Sequence, residues 1–158
     1  MQVRLHHQTV NPQAYQTMRK LEEFVKSTGL DPILYELIKI RASQLNGCSF
    51  CLDMHTKDIR RMGESEQRVN LISVWREVPL FTDKEKAVLE LTEAVTRIGD
   101  GGVSDALYAK VREHFSETAF IALIMAINTI NCWNRIAISF GMFPGCYDAG
   151  AKRSESAE

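Results

Sequence analysis

Apolar residues recur at three- and four-residue spacing along most of this 158-residue chain, and no segment sustains an alternation of apolar and polar residues. Such spacing places apolar side chains on one face of a helix, whereas a half-buried strand needs a period of two. The pattern is clearest after the capping-box sequence Thr-Asp-Lys-Glu at 82–85. The apolar positions that follow are Ala87, Val88, Leu91, Ala94, Val95 and Ile98. The sequence therefore predicts an all-α protein, a helical bundle of about six to seven helices.

Capping and stop residues predict where these helices begin and end. Asp31 precedes Pro32, which is an acidic N-cap followed by proline at the first helical position. Gly47 can take the left-handed conformation that closes a helix, so the chain turns there into the next one. The predicted helices span residues 13–28, 32–46, 49–62, 65–78, 83–98, 105–115 and 117–140.

Composition and charge narrow the functional classes. A formal net charge of -1, with 45% hydrophobic and 25% charged residues, is ordinary for a soluble protein and creates no field that attracts nucleic acid. The longest apolar run, Ala119 to Ile127, is far shorter than the roughly 20 residues that span a bilayer, and no secretory signal is recognisable. We expect one cytoplasmic domain over 1–158, with a disordered tail at about 150–158 and no nucleic-acid or membrane partner.

Two cysteines and a histidine are the first candidates for chemistry. Cys48 and Cys51 are separated by two residues, and His55 follows four residues after Cys51. On a helix, at about 100° per residue, the three side chains fall within an arc of roughly 60°. Because Gly47 ends the preceding helix, the pair lies at a helix start, where unpaired backbone N–H groups stabilise a thiolate.

Thiol redox chemistry is the first interpretation of this group. One thiolate attacks an oxidant and becomes a sulfenic acid, and the other cysteine condenses with it to a disulfide that an external dithiol reduces. Four cysteines are too few for a disulfide framework in a chain of this length. Glu36 is a candidate carboxylate partner for His55, although the helical wheel alone favours a solvated glutamate at this position.

Two other interpretations remain open for the cysteine pair. Zinc could take Cys48, Cys51 and His55 as three ligands, but a structural site needs four and no second Cys or His pair follows. Alternatively, both cysteines could be small buried residues. Cys132 is predicted to be a core residue because it lies in an apolar helix, while Cys146 lies beside glycine and proline in a loop.

Polar residues interrupt the last, largely apolar helix. Asn128, Asn131, Asn134 and Arg135 recur at three- and four-residue spacing. They form either the exposed side of the helix end or a buried polar network or subunit contact, because polar groups on so apolar a helix need partners.

The combination of Glu36, eleven residues, Cys48-x-x-Cys51, three residues and His55 resembles the AhpD-like alkylhydroperoxidases of the carboxymuconolactone decarboxylase superfamily. The resemblance runs from about Tyr15 to Ile98 and includes the Trp133-Asn134-Arg135 helix. It implies an all-α fold, trimers or hexamers, and reduction of organic hydroperoxides without metal or flavin. Dithiol carriers such as lipoylated proteins would supply the electrons.

The resemblance also implies a role for each site residue. Cys51 would attack the peroxide, Cys48 would resolve the sulfenic acid, and Glu36 and His55 would form the proton relay. The sequence departs from the best-known peroxidases, which place a histidine between the cysteines where this chain has Ser49 and Phe50, so a shorter relay and a lower rate are expected. The decarboxylase branch does not rely on such a pair. The alternative is a non-catalytic, oligomeric redox sensor or binding protein.

Overall fold

The computed structural model describes residues 2–145, and within them it contains eight α-helices and no β-strand. The predicted all-α class is thus confirmed. Cys146 and the tail predicted at about 150–158 lie outside the described residues. The helices are α1 (His7–Val10), α2 (Pro12–Ser27), α3 (Pro32–Asn46), α4 (Ser49–Arg61), α5 (Glu66–Leu71), α6 (Asp83–Thr96), α7 (Asp105–Arg112) and α8 (Glu117–Ser139).

The helix boundaries match the capping signals in the sequence. The Asp31 carboxylate accepts a hydrogen bond from the backbone N–H of Leu34 at 2.8 Å at the start of α3. Gly47 closes α3 with a φ of 68°, a left-handed conformation that costs glycine nothing. Thr82 and Glu85 form both hydrogen bonds of the capping box. Local side-chain chemistry therefore fixes most of the helix ends.

One predicted helix is shorter than expected. The segment predicted to be helical over 65–78 consists of α5 followed by a 3₁₀ segment, Ile72–Glu77, with a non-helical residue at Val74. Within that segment Trp75 is buried, and its indole N–H donates to Glu93 Oε1 at 2.8 Å. Contacts to α6, rather than helical periodicity, set the conformation here. The short α1 was not predicted.

The long apolar helices form the centre of the bundle. All residues from 34 to 40 are buried, because α3 packs against α4, α6 and α8. Although α8 is long and apolar enough to cross a bilayer, half of its most apolar window is buried inside the structure, as in the core helix of a soluble domain. The junction of α3, α4 and α8 is where the cysteine pair lies.

Candidate dithiol site

Cys48 and Cys51 lie at the start of α4, directly after the Gly47 turn. Cys48 is the N-cap residue of α4, its backbone is extended, and its N–H donates to the carbonyl of Ser43 at 3.0 Å. Both cysteines are reduced and only 2% exposed. The structure thus places the pair at a helix N-terminus, as predicted. Both thiols are shielded from bulk water.

The Glu36 side chain reaches His55 across the α3–α4 contact. His55 Nδ1 lies 3.0 Å from Glu36 Oε2, and both side chains are buried. A carboxylate can only accept, so Nδ1 carries the proton and Nε2 is the nitrogen that can exchange a proton elsewhere. The structure therefore brings Glu36 and His55 together as the sequence pattern predicted, and Glu36 is not a solvated surface residue.

Lys39 is a site residue that the sequence analysis missed. Its Nζ lies 2.5 Å from Glu36 Oε1 and 4.0 Å from the centre of the Tyr35 ring. Its side chain is 6% exposed. Glu36 and Lys39 are three residues apart on α3, a spacing at which ion pairs form on helix surfaces. The sequence therefore allowed the pair to be predicted, but it did not show that the pair is buried.

The charge of Glu36 is set by these two neighbours. Burial alone would raise the pKa of Glu36, but the hydrogen bonds and charges of His55 and Lys39 outweigh it and hold that pKa below its usual value. Glu36 is therefore a carboxylate near neutral pH. Its chemistry is to orient and charge-balance His55 rather than to store the proton itself.

The two thiols share a hydrogen bond that separates their acidities. The bond from the Cys51 thiol, helped by the backbone N–H of Cys51, outweighs burial and lowers the pKa of Cys48 to about 7. The same bond, with burial, raises the pKa of Cys51. The first thiolate of the reduced protein therefore forms on Cys48 at the helix N-terminus, with Cys51 as its hydrogen-bond donor.

Asn134 of α8 completes the surroundings of the sulfurs. Its side chain is fully buried, and hydrogen bonding by its amide acts to lower the pKa of both thiols, although the pKa of Cys51 is raised overall. Asn131 is buried as well, whereas Asn128 is exposed. Of the two interpretations left open for the polar residues of this helix, a buried polar network is the one observed at Asn131 and Asn134.

The Glu36–His55 pair also belongs to a group of possible metal ligands. Among the described residues, ligand atoms of Glu36, His55 and Asp58 lie within 4.8 Å of one another. The zinc alternative considered Cys48, Cys51 and His55 instead. The Lys39 ammonium, 2.5 Å from Glu36, already neutralises that carboxylate and repels a cation, so this group fits a proton pathway better than a metal centre.

A cavity of about 290 Å³ adjoins Phe50, one of the two residues between the cysteines. Phe50 forms one wall, and the N-terminal segment and Met142, just after α8, form the others. The remaining lining residues are Val3, Leu5, His6, His7, Gln8 and Met142. A larger cavity of about 450 Å³ lies around the α2–α3 turn and is lined by none of the site residues.

The prediction that Cys132 is a core residue is wrong, because Cys132 is exposed. It lies four residues after Asn128 and three before Arg135, and both of those residues are exposed too. Residues at these spacings share one helix face, so Cys132 belongs to the solvent side of α8. Its thiol is not part of the site.

The fold and the site define a class: an all-helical dithiol protein in which a CxxC pair begins a helix and a buried Glu-His pair joins that helix to its neighbour. The chain belongs to the carboxymuconolactone decarboxylase family, whose sequence model matches residues 12–94. The resemblance to AhpD-like proteins is thereby confirmed.

Relatives of this chain fall into near and distant groups. The uncharacterized protein YdfG of Bacillus subtilis is 44% identical over 89% of this chain and 96% of its own length. A crystal structure from Agrobacterium tumefaciens, of unknown function and provisionally named an antioxidant defence protein AhpD, has a TM-score of 0.86 at 44% identity, covering 89% of this chain and 96% of that one.

The relatives with named activities are more distant. Alkyl hydroperoxide reductase AhpD of Koribacter versatilis is 34% identical over 42% of this chain, a stretch that covers 34% of the relative. The debrominase Bmp8 shares the fold, with a TM-score of 0.75 at 16% identity over 84% of this chain and 72% of its own. At this identity the likeness to Bmp8 shows a shared fold and no more.

Proposed function

We propose that this protein reduces organic hydroperoxides through a dithiol/disulfide cycle of Cys48 and Cys51, and that an external dithiol restores the reduced pair. The observation that carries the proposal is the combination of two buried thiols at the start of α4, one with its pKa lowered to about 7, with a buried hydrogen bond between His55 of the same helix and Glu36 of α3. The AhpD-named relatives support the same activity.

The cycle starts from the reduced pair with one proton already lost from Cys48. As the Cys51 sulfur attacks the outer peroxide oxygen, its proton passes to the Cys48 thiolate along the hydrogen bond that joins them. The O–O bond breaks, Cys51 becomes a sulfenic acid, and the alkoxide takes a proton from the relay to leave as an alcohol. Cys48 then attacks the sulfenic sulfur, and a disulfide and one water molecule form.

Glu36 and His55 supply the proton for the leaving alkoxide. His55 Nδ1 is held by Glu36, so the opposite ring nitrogen exchanges protons with the reaction. The lowered pKa of Glu36 keeps a negative charge beside the ring, which stabilises the imidazolium formed between turnovers. The roles of both residues follow the family pattern, and Lys39 is added to them as a group that, after His55, favours the ionised form of Glu36.

An organic rather than an inorganic peroxide fits the surroundings of the pair. Phe50, Val3, Leu5 and Met142 give the neighbouring cavity apolar walls, and an alkyl group would be removed from water there. The reductant we propose is a dithiol such as a lipoylated protein, acting on a homo-oligomer, trimer or hexamer, in the cytoplasm.

Peptide mapping after a single oxidation tests the proposal. One equivalent of cumene hydroperoxide per subunit should yield one equivalent of the alcohol and a Cys48–Cys51 disulfide. Oxidation that falls instead on exposed Cys132, with the pair still reduced, would contradict the proposed site.

A further inference from the structure

We propose that Asn134 is a further catalytic residue: one N–H of its side-chain amide donates to the sulfurs of Cys48 and Cys51 and stabilises the thiolate, and Arg135 fixes the orientation of that amide from the protein surface. The proposal concerns the thiolate of the reduced pair, and the use of that thiolate in hydroperoxide reduction rests on the proposed function.

The orientation of each amide in this region is decided by a chain of hydrogen bonds that begins at Arg135. A guanidinium has only donors, and Arg135 Nη1 lies 2.9 Å from the backbone oxygen of Asn131 and 3.1 Å from its Oδ1. Asn131 must therefore turn its oxygen toward Arg135. Its Nδ2 then donates to the carbonyl of Ile127 at 2.9 Å and to Thr96 Oγ1 at 3.0 Å.

Asn46 at the end of α3 passes this orientation on to Asn134. Because Asn131 presents an oxygen, Asn46 must present its Nδ2, which lies 2.8 Å from Asn131 Oδ1. The same Nδ2 lies 2.9 Å from Asn134 Oδ1, so both of its N–H groups are used. Asn134 consequently turns its oxygen toward Asn46 and its NH₂ group away from it.

The NH₂ group of Asn134 has two hydrogens and two kinds of acceptor. One N–H donates to Ser43 Oγ at 3.0 Å. The other is left for the sulfurs, because Ser43 lies at the turn beside the pair: its carbonyl accepts the backbone N–H of Cys48 at 3.0 Å, and the Asn134 amide acts on both thiols as a hydrogen-bond partner. A donor fixed in advance in a buried site stabilises a developing anion without any reorganisation. A flipped amide would present its oxygen and repel the thiolate.

Thiolate titration tests this role without requiring peroxide turnover. Alkylation by iodoacetamide is followed against pH in a Cys132→Ser, Cys146→Ser background, so that only the pair reacts. Asn134→Leu should raise the apparent pKa of the pair by about one unit, because a hydrogen bond to a charged group is lost. The alkylation rate should fall about fivefold near pH 7 and match that of the parent above about pH 9.5.

Three further variants keep the test decisive if the apolar substitution disturbs folding. Asn134→Asp keeps the acceptor for Asn46 but loses the donor and adds charge, so it should raise the apparent pKa by more than Asn134→Leu does. Arg135→Met changes only an exposed side chain. It should raise the apparent pKa by about half a unit, because Arg135 no longer orients the hydrogen-bonded amides that lead to Asn134. Arg135→Lys keeps a donor and should titrate like the parent.

Asn128→Leu is the matched control, because Asn128 is an exposed asparagine on the same helix. Glu36, Lys39 and His55 are retained in every variant, so a changed titration is not due to the relay. A folded Asn134→Leu protein that titrates like the parent would overturn the role of Asn134. A shift in the Asn134 variants with none in Arg135→Met would overturn the orientation by Arg135.

Discussion

Lys39 Nζ lies 2.5 Å from Glu36 Oε1, and the two side chains are 6% and 5% exposed. A lysine is rarely buried unless it is paired, and here the pair lies directly behind the His55 hydrogen bond. Lys39 therefore favours the ionised form of Glu36, together with His55, from inside the core. The relay has three members in sequence: a cation, a carboxylate and an imidazole.

Lys39→Met should destabilise the protein by about 3 kcal/mol near neutral pH, because it leaves the Glu36 carboxylate buried with less compensation. Chemical denaturation measures the change. Lys26→Met is the control, since Lys26 is exposed and lies 3.9 Å from Glu22; it should cost less than about 0.5 kcal/mol. Equal effects of the two substitutions would show that Lys39 does not support Glu36.

Glu36→Gln should produce a stability difference that depends on pH. The folded pKa of Glu36 is lowered, so its contribution is fully present above the unfolded value of about 4.3 and is lost as the pH falls through the folded pKa. The gap between parent and variant should therefore be widest near neutral pH and close below about pH 4.

Denaturant titrations between about pH 3 and 7 measure this gap. Glu23→Gln is the control, because Glu23 is an exposed glutamate whose side chain lies 3.7 Å from Arg19. A gap that is the same at every pH for Glu36→Gln would contradict the ionised, ion-paired state of Glu36. The variant should also slow the thiol step while remaining folded.

The two cysteine variants should fail at different steps. Cys51→Ser removes the attacking sulfur and should abolish hydroperoxide turnover. Cys48→Ser should still form a sulfenic acid on Cys51, which accumulates because no partner thiol resolves it. Dimedone trapping followed by mass spectrometry locates the sulfenate. A sulfenate on Cys48 in the Cys51→Ser variant would reverse the two roles, and unchanged turnover in both variants would refute the mechanism.

Gly47→Ala should destabilise the protein by about 1 kcal/mol, because φ is 68° at this position and a side chain disfavours the left-handed region. A Cβ there would meet nothing within 4 Å, so the cost is conformational only. Gly99→Ala is the matched control, since Gly99 also faces open space but has no positive φ. Equal stabilities of the two variants would contradict this account of the turn.

Local signals in the sequence predicted the frame of the site. Asp31, Gly47 and the capping box at Thr82 act through their nearest neighbours in the chain, so helix ends could be predicted from them. The helical wheel favoured a solvated glutamate at Glu36, because it could not show that His55 of α4 packs against this side chain. Only the resemblance identified Glu36 as part of the site.

Residues whose role depends on packing between distant segments could not be predicted in this way. In the sequence alone Lys39 resembles a member of a surface ion pair, because its burial depends on how α2 and α4 pack around it. Asn134 is held in place by Asn46 and Ser43, which lie about 90 residues earlier in the chain. Cys132 was misjudged because the apolar character of α8 as a whole concealed that Asn128 and Arg135 mark its solvent face.

The most direct test of the central claim is a stopped-flow assay of the parent protein with an organic hydroperoxide and dihydrolipoamide as the dithiol donor. The account predicts that each subunit consumes many equivalents of hydroperoxide, at a rate that depends on both substrates, and that Cys51→Ser consumes none. A single stoichiometric oxidation that the donor does not renew would contradict catalysis and identify a redox sensor instead.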